Sequence, residues 1–398
     1  MPDMSRPASA LSADDTPESL RARQLFGCVV TGGRLAATGP SVVADKVEQW
    51  LWSSGAPNKA LTEADLCETF AIGRRMARQT ARVLQQRGVM APHRGGKGAG
   101  GLRPTAPTAE EAARSLVLAA HGAVTPRAIH EARDLLRPLL SDRQGALSGW
   151  LNSTMAQIDK AQSAGPAADV FAPIFGCGRK SQVIADRLLG ELAAAPDRGK
   201  ATHLGSLDAI AERYDTRLEI VIEAVRMLED HQKVVLQRGR GGGVVGSDGS
   251  VSQAARMTNA FLSAHGVSFD ACREMLEQIN IGMIDLACQR IGERGGERVE
   301  RALGAMAQAR DATEVGLAWY PFQREIALMA DSPVLHLLAQ CLAGTLLLRR
   351  LSSADLPDPQ ARELFDASRS ISLNLKQGRT GQSAREHRRC QTALGVCW

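Results

Sequence analysis

Arg74, Arg75, Arg78 and Arg82 crowd into nine residues, and no acidic residue occurs from Gly73 to Arg103. The four-residue spacing of Arg74, Arg78 and Arg82 sets three guanidinium groups in one stripe along a helix. Such a stripe binds anions. Duplex DNA is the anion that suits it best: arginines that displace condensed counterions supply affinity, and a guanidinium pairs bidentately with guanine O6 and N7. Gln79 belongs to the same candidate surface, as do His93, Arg94 and Lys97 in the glycine-rich stretch that follows. Glycine there lets backbone approach phosphate closely.

Several elements must hold these groups in place. Met76, Thr80, Val83 and Leu84 fall on the side of the basic helix opposite the arginines, so they face a core. A shorter helix over Glu63–Thr69, with Thr62 as its cap, precedes it. The turn at Ala71–Gly73 is short enough to hold the two helices at a steep angle. Val89–Pro92 and Gly101–Leu102 pair as strands around the glycine-rich tip. An amphipathic helix from Val42 to Trp52, apolar at Val43, Val47, Trp50 and Leu51, opens the unit. Helix, turn, basic helix and basic hairpin make a winged helix-turn-helix. A solvated basic face beside a flexible loop is the plain alternative, and it requires all four features to coincide by chance.

Leu66, Phe70, Ile72, Arg74, Arg78, Leu84, Gly88 and Val89, with the Arg-Gly-Gly wing, resemble the GntR family of bacterial transcription regulators. The resemblance implies a winged helix-turn-helix ahead of an effector-binding domain, with Arg74 and Arg78 contacting operator DNA. Gly73 stands where that family usually has Ser or Thr, and Met76 where it often has Pro. Neither departure removes a charge.

The unit occurs twice. Val43–Val47 is echoed by Ile184–Leu188, Leu66 and Phe70 by Ile210 and Tyr214, and Arg82-Val83-Leu84 by Arg226-Met227-Leu228. The offset is 141 before the first loop and 144 after it, which predicts an insertion near Asp197–Lys200. In register, Leu218 replaces Arg74 and Ile222 replaces Arg78, with Glu219 and Glu223 beside them. Apolar groups cannot pair with guanine, and carboxylates repel phosphate. Arg217, Arg238 and Arg240 keep the second unit basic at the helix start and wing, so phosphate contact is expected there with base reading changed or lost. The apolar Leu218/Ile222 pair is instead read as a protein contact.

These readings predict a mainly α fold, with two winged helix-turn-helix domains at 39–104 and 179–247, each followed by an all-helical region at 105–178 and 250–376. Residues 1–38 are expected to form a disordered arm with one weak helix near Glu18–Gln24, and 377–398 a polar, basic tail that frays. Helices are expected at Ala109–Ala120, Pro126–Leu140, Gly145–Gln162, Ser252–Ala264, Phe269–Arg290, Glu297–Ala309, Thr313–Met329, Pro333–Leu351 and Pro359–Leu375. The chain of 398 residues is 44% hydrophobic but only 4% aromatic, which favours helices packed through Ala, Leu and Met. A net charge of +5 is modest, so the basic signal is local. Eight cysteines without a CxxC pair, and no secretory segment, indicate reduced thiols and a cytoplasmic protein. No apolar run is long enough for a membrane span.

The second helical block resembles the all-helical effector domain of the FadR-like branch, through Phe322–Ala327 followed by Asp331–Leu335. That resemblance puts Trp319 and Gln323 where many members carry an acid and a histidine that hold a metal. Tryptophan is no ligand and glutamine a poor one, and neither His336 nor His387 falls in an obvious ligand register. No metal and no cofactor are therefore expected. Trp319 and Gln323 become candidates for holding a small organic effector. The glycine tracts fit no nucleotide-binding pattern, and no catalytic constellation emerges, so the chain does not read as an enzyme. His121, His130, His265 and His336 are isolated, and Cys390 and Cys397 read as exposed tail thiols. The expected partners are double-stranded operator DNA and a small effector, with a homodimer or an intramolecular pseudo-dimer as the assembly. The rival reading is a protein-interaction or co-regulatory module with vestigial DNA binding.

Overall fold

The computed structural model describes residues 39–395 apart from 55–59, 94–99, 106, 120–124, 142–144, 164–178, 195–201, 232, 238, 240–241, 248–250 and 351–357. The expected arm at 1–38, its weak helix, His121, Cys28, Cys177 and Cys397 lie outside the described residues. Those described form sixteen helices and five short strands, so the fold is mainly α.

The first winged unit comprises α1 (Gly39–Ser54), α2 (Glu63–Phe70), α3 (Arg74–Gln86), β1 (Met90–His93) and β2 (Gly101–Pro104). Its core gathers Val43, Val47, Leu51, Leu66, Phe70, Ala77, Leu84 and Leu102. Thr62 caps α2 through a reciprocal capping box with Asp65. Strands β1 and β2 pair antiparallel, with Met90 opposite Pro104. Leu61 bridges Leu102 from the other side, and a β-carbon on Gly101 would lie 2.6 Å from the Leu61 carbonyl oxygen. Only glycine fits there.

The second unit repeats this plan with α7 (Lys180–Ala194), β3 (His203–Gly205), α8 (Leu207–Arg213), α9 (Leu218–Asp230), β4 (Val234–Gln237) and β5 (Gly243–Gly246). Its own core holds Ile184, Leu188, Ile210, Val221, Val225, Leu228 and Val244. The repeat extends to details. Ser206 caps α8 as Thr62 caps α2, and the helix-turn-helix turn carries a left-handed residue in both units, Ala71 (φ 49°) and Asp215 (φ 43°). Gly243 meets the Gly205 carbonyl as Gly101 meets Leu61.

All remaining helices share one core, and this corrects the expectation of two separate helical regions. α4 (Ala109–Ala119), α5 (Pro126–Ser141) and α6 (Ala146–Ser163) bury Leu116, Leu136, Trp150 and Leu151 in the same cluster as the later helices. Those are α10 (Ser252–Ala264), α11 (Phe269–Arg290), α12 (Glu293–Ala307), α13 (Ala312–Ala330), α14 (Pro333–Arg350), α15 (Asp358–Lys376) and α16 (Thr380–Gly395). The absence of a side chain at Gly282 admits Leu135 of α5 against α11, and Arg290 pairs with Glu131 across the same contact.

The expected frayed tail is also corrected. α16 packs along α15, hiding Ser383, His387, Cys390 and Leu394 at helical spacing. That buried stripe is mostly small or polar, so hydrophobic periodicity did not reveal it. Cys390 is accordingly no exposed thiol: it lies against Ser368, and burial pushes its pKa up to about 12.

A buried ionic hub joins the three bodies. Arg87, the C-cap of α3, reaches Glu48 at 2.6 Å and Asp45 at 2.8 Å on α1, and Asp230 at 2.9 Å at the end of α9. Arg256 of α10 binds Asp45 at 2.9 Å and also Glu48. The side chains of Arg87, Glu48, Arg256 and Asp230 are 3%, 0%, 5% and 6% exposed, so water cannot replace a lost partner. Burial opposes charge on Asp230, yet the Arg87 guanidinium and its hydrogen bonds hold that carboxyl well below the ordinary range. Removing one member of such a cluster strands the others. Arg87→Ala is expected to cost about 3–5 kcal/mol in chemical denaturation, against about 0–1 kcal/mol for Arg310→Ala in an exposed pair.

Candidate nucleic-acid interface and bundle cavity

Helix α3 buries Ala77, Thr80, Ala81 and Leu84 on one side and exposes Arg74, Arg75, Arg78 and Arg82 on the other; Gln79 is half-buried at the edge. Among the described residues, Arg74, Arg75 and Arg82 make no ion pair. Arg78 lies 3.4 Å from Glu63, with both side chains about half exposed (62% and 47%). An exposed pair of this kind is worth at most about 1 kcal/mol, so it does not hold Arg78 away from a phosphate. Gly73 stands at the N-cap with no side-chain hydrogen bond, leaving the first amides of α3 open beside Arg74 and Arg75. His93 ends β1 half-buried, while Arg94 and Lys97 lie outside the described residues. Arg103, exposed on β2 opposite Ala91, extends the basic surface and was not singled out from the sequence.

The equivalent surface of the second unit differs in kind. Arg217 is the exposed N-cap of α9, and Leu218, 38% exposed, follows it. Glu219 is exposed, Ile222 and Glu223 are half-buried, and Arg226 stands exposed where Arg82 stands in the first unit. Helix α9 contains four acids and one arginine, against four arginines and no acid in α3. Arg238 and Arg240 lie outside the described residues.

In the helical block a cavity of about 790 Å³, counting its open mouth, lies between α11, α13, α14 and α16. Trp319 and Gln323, candidates from the sequence, both line it. So do Arg273, Asn280, Arg324, His336 and Gln391, which sequence reading did not connect because they come from four separate helices. Leu276, Met283, Ala339 and Leu346 give the cavity an apolar body. Both amide atoms of Gln323 are buried without a hydrogen-bond partner, whereas the Trp319 side chain hydrogen-bonds Cys390. Unpaired buried polar atoms are uncommon and costly, and these adjoin space for a ligand.

The two histidines set aside in the sequence sit close to this site. His336 lines the cavity; burial, then the charge of Arg324, lowers its pKa to about 4. His387 packs 6.4 Å from the Trp319 ring with both ring nitrogens unpaired, and burial brings it to about 4 as well. Both rings are thus neutral near neutral pH. Among the described residues, no group of three or more His, Cys, Asp or Glu is arranged to hold a metal ion, and no helix is long and apolar enough to cross a membrane.

The sequence matches no protein-family model and no curated protein. Among solved structures, the chain is similar to a Streptococcus agalactiae GntR protein, with 15% identity and a TM-score of 0.35 over 54% of this chain and 98% of that one. A superposition that loose has no bearing on function.

The buried histidines make stability depend on pH. As pH falls below 6.5, an unfolded chain protonates His387, whereas the folded chain resists until about 4, so stability drains away across that window. His387→Leu is expected to lose roughly 2 kcal/mol less stability than the parent between neutral pH and about pH 5. Urea denaturation at the two pH values measures the difference, and equal slopes would show that the ring is not buried neutral.

Proposed function

We propose that the chain is a DNA-binding transcriptional regulator of the GntR type, cytoplasmic and without enzymatic activity. It binds operator DNA through the first winged unit and senses a small organic effector in the helical block. The observation that carries this reading is the exposed arginine face of α3, backed by a buried apolar face that fixes its direction. A 13-residue helix fits the major groove, and its N-terminal residues are those that reach base edges. Arg74, Arg75 and Arg78 occupy that end, Arg82 and Gln79 the flank, and His93, Arg94, Lys97 and Arg103 the wing side. In the second unit Arg217 and Arg226, with Arg238 and Arg240, contact phosphate, while Leu218 and Glu219 read no base.

For the effector, an apolar cavity body with an unpaired amide at Gln323 and guanidinium groups at Arg273 and Arg324 suits an organic ligand with an apolar body and an anionic or strongly polar end. No metal enters this reading. The rival, a protein-interaction module, draws on Leu218, which a reader of DNA has no use for exposing. The arginines of α3 favour the DNA reading.

Selection of bound duplexes from a random-sequence pool, followed by gel-shift titration, tests it. Arg74→Ala and Arg78→Ala are each expected to weaken the selected duplex by about 1–3 kcal/mol without changing the thermal melt, because both side chains point away from the core. Unchanged affinity in the double variant would favour the rival. In the helical block, Gln323→Leu is expected to remove the thermal stabilisation produced by ligands found in a metal-free screen of organic acids. Retention of that stabilisation would place the effector elsewhere.

A further inference from the structure

The two winged units touch through equivalent positions. With the offset of 144 that relates α2 to α8 and α3 to α9, Gln86 corresponds to Asp230 and Arg87 to His231. Arg87 forks onto Asp230 through Nε and Nη2, each at 2.9 Å. In return, the His231 ring hydrogen-bonds the backbone of Gln86. Residue 87 meets 230 while the counterpart of 87 meets the counterpart of 230, which is the signature of a two-fold contact between subunits. Here both halves belong to one polypeptide.

The chemistry on the two sides is unequal. The first unit offers Arg87 with Gln86 before it; the second offers His231 with Asp230 before it. Pairing two first units through this surface would set each buried guanidinium against an amide where it now has a carboxylate. Only unlike units give Arg87 its bidentate partner. Of the two acids that anchor Arg87 at home, the second unit keeps Asp186 in the place of Asp45 but has Leu189 in the place of Glu48. Ser41 of the first unit adds a hydrogen bond to Asp230 at 2.9 Å, and Gln253 of α10 donates to the Arg87 carbonyl at 2.5 Å. Specificity built from a charge that one pairing satisfies and the other strands is discrimination against the wrong partner.

We propose that the two winged units are built to pair with each other within one chain and not with a second copy, so that a single chain occupies a DNA site and reads bases in only one half of it. The clause about bases rests on the DNA reading above; the pairing does not. Helices α3 and α9 meet at their C-terminal ends, leaving their N-terminal ends free, one bearing Arg74 and Arg75 and the other Leu218 and Glu219.

Two measurements on the full chain separate the parts. Without DNA, hydrogen exchange of the parent is compared with that of Asp230→Asn and of Asp230→Arg. Amides near 86–89 and 227–231 are expected to exchange about tenfold faster or more in Asp230→Arg, and by a smaller factor in the milder Asp230→Asn, while amides in each unit's own core stay protected. Unchanged exchange in Asp230→Asn would overturn the pairing, even should Asp230→Arg fail to fold. With short duplexes selected from a random pool, native mass spectrometry is expected to count one chain per duplex, and base-specific protection is expected to cover one half of the footprint. Two chains per duplex would overturn the single-copy arrangement. Failure to select any duplex, with the exchange result as expected, would sink the DNA reading and leave the intramolecular pair standing.

Discussion

Arg87 carries one positive charge into a place that water does not reach, and much of the architecture is arranged around keeping it paired. The guanidinium is held by carboxylates from α1 and from the end of α9, while Arg256 of the helical block shares the α1 acids. Charges buried this deeply do not make a protein more stable than apolar packing would. What they impose is uniqueness: each of the three bodies contributes at least one charge, and no two of them satisfy the set. The cluster therefore fixes which surfaces meet.

That constraint makes sense of how the two winged units have diverged. Their interiors are interchangeable in kind, with caps, left-handed turn residues and a wing glycine at corresponding places. Their outer faces are not. Helix α3 turns arginines outward where α9 turns leucine and glutamate. At the shared contact the first unit has Arg87 and Glu48 where the second has His231 and Leu189. A shared fold plan supports a two-fold arrangement, and unequal side chains commit it to one partner.

The cavity and the hub are neighbours through two helices. Helix α14 lines the cavity with His336, Ala339 and Leu346, and its Cys341, Thr345 and Arg349 hydrogen-bond Thr258, Ala255 and Asn259 of α10 at 3.3, 3.3 and 2.8 Å. Helix α10 carries Arg256 into the hub, and α14 also packs directly on α1. The polar atoms left unpaired at Gln323 lie on α13, across the cavity from α14.

What the sequence alone determined was local. Period, capping and glycine placement located Ser252–Ala264 and Phe269–Arg290 to the residue and the other helices whose bounds were expected to within about four, but missed Thr380–Gly395, because side-chain period and caps act within a few residues of the chain. The same local rules made the arginine face of α3, and its loss in α9, legible by register. Tertiary structure decided the rest. The stripe Ser383–His387–Cys390–Leu394 became core because α15, α11 and the Trp319 side of α13 cover it, and three helices at 109–163 join the later block through α4 against α10 and Leu135 against Gly282. Arg87 reads in the sequence as one more basic residue after a basic helix. Its partners lie 39, 42 and 143 residues away, and no local pattern encodes a charge whose worth depends on which distant surfaces exclude water around it.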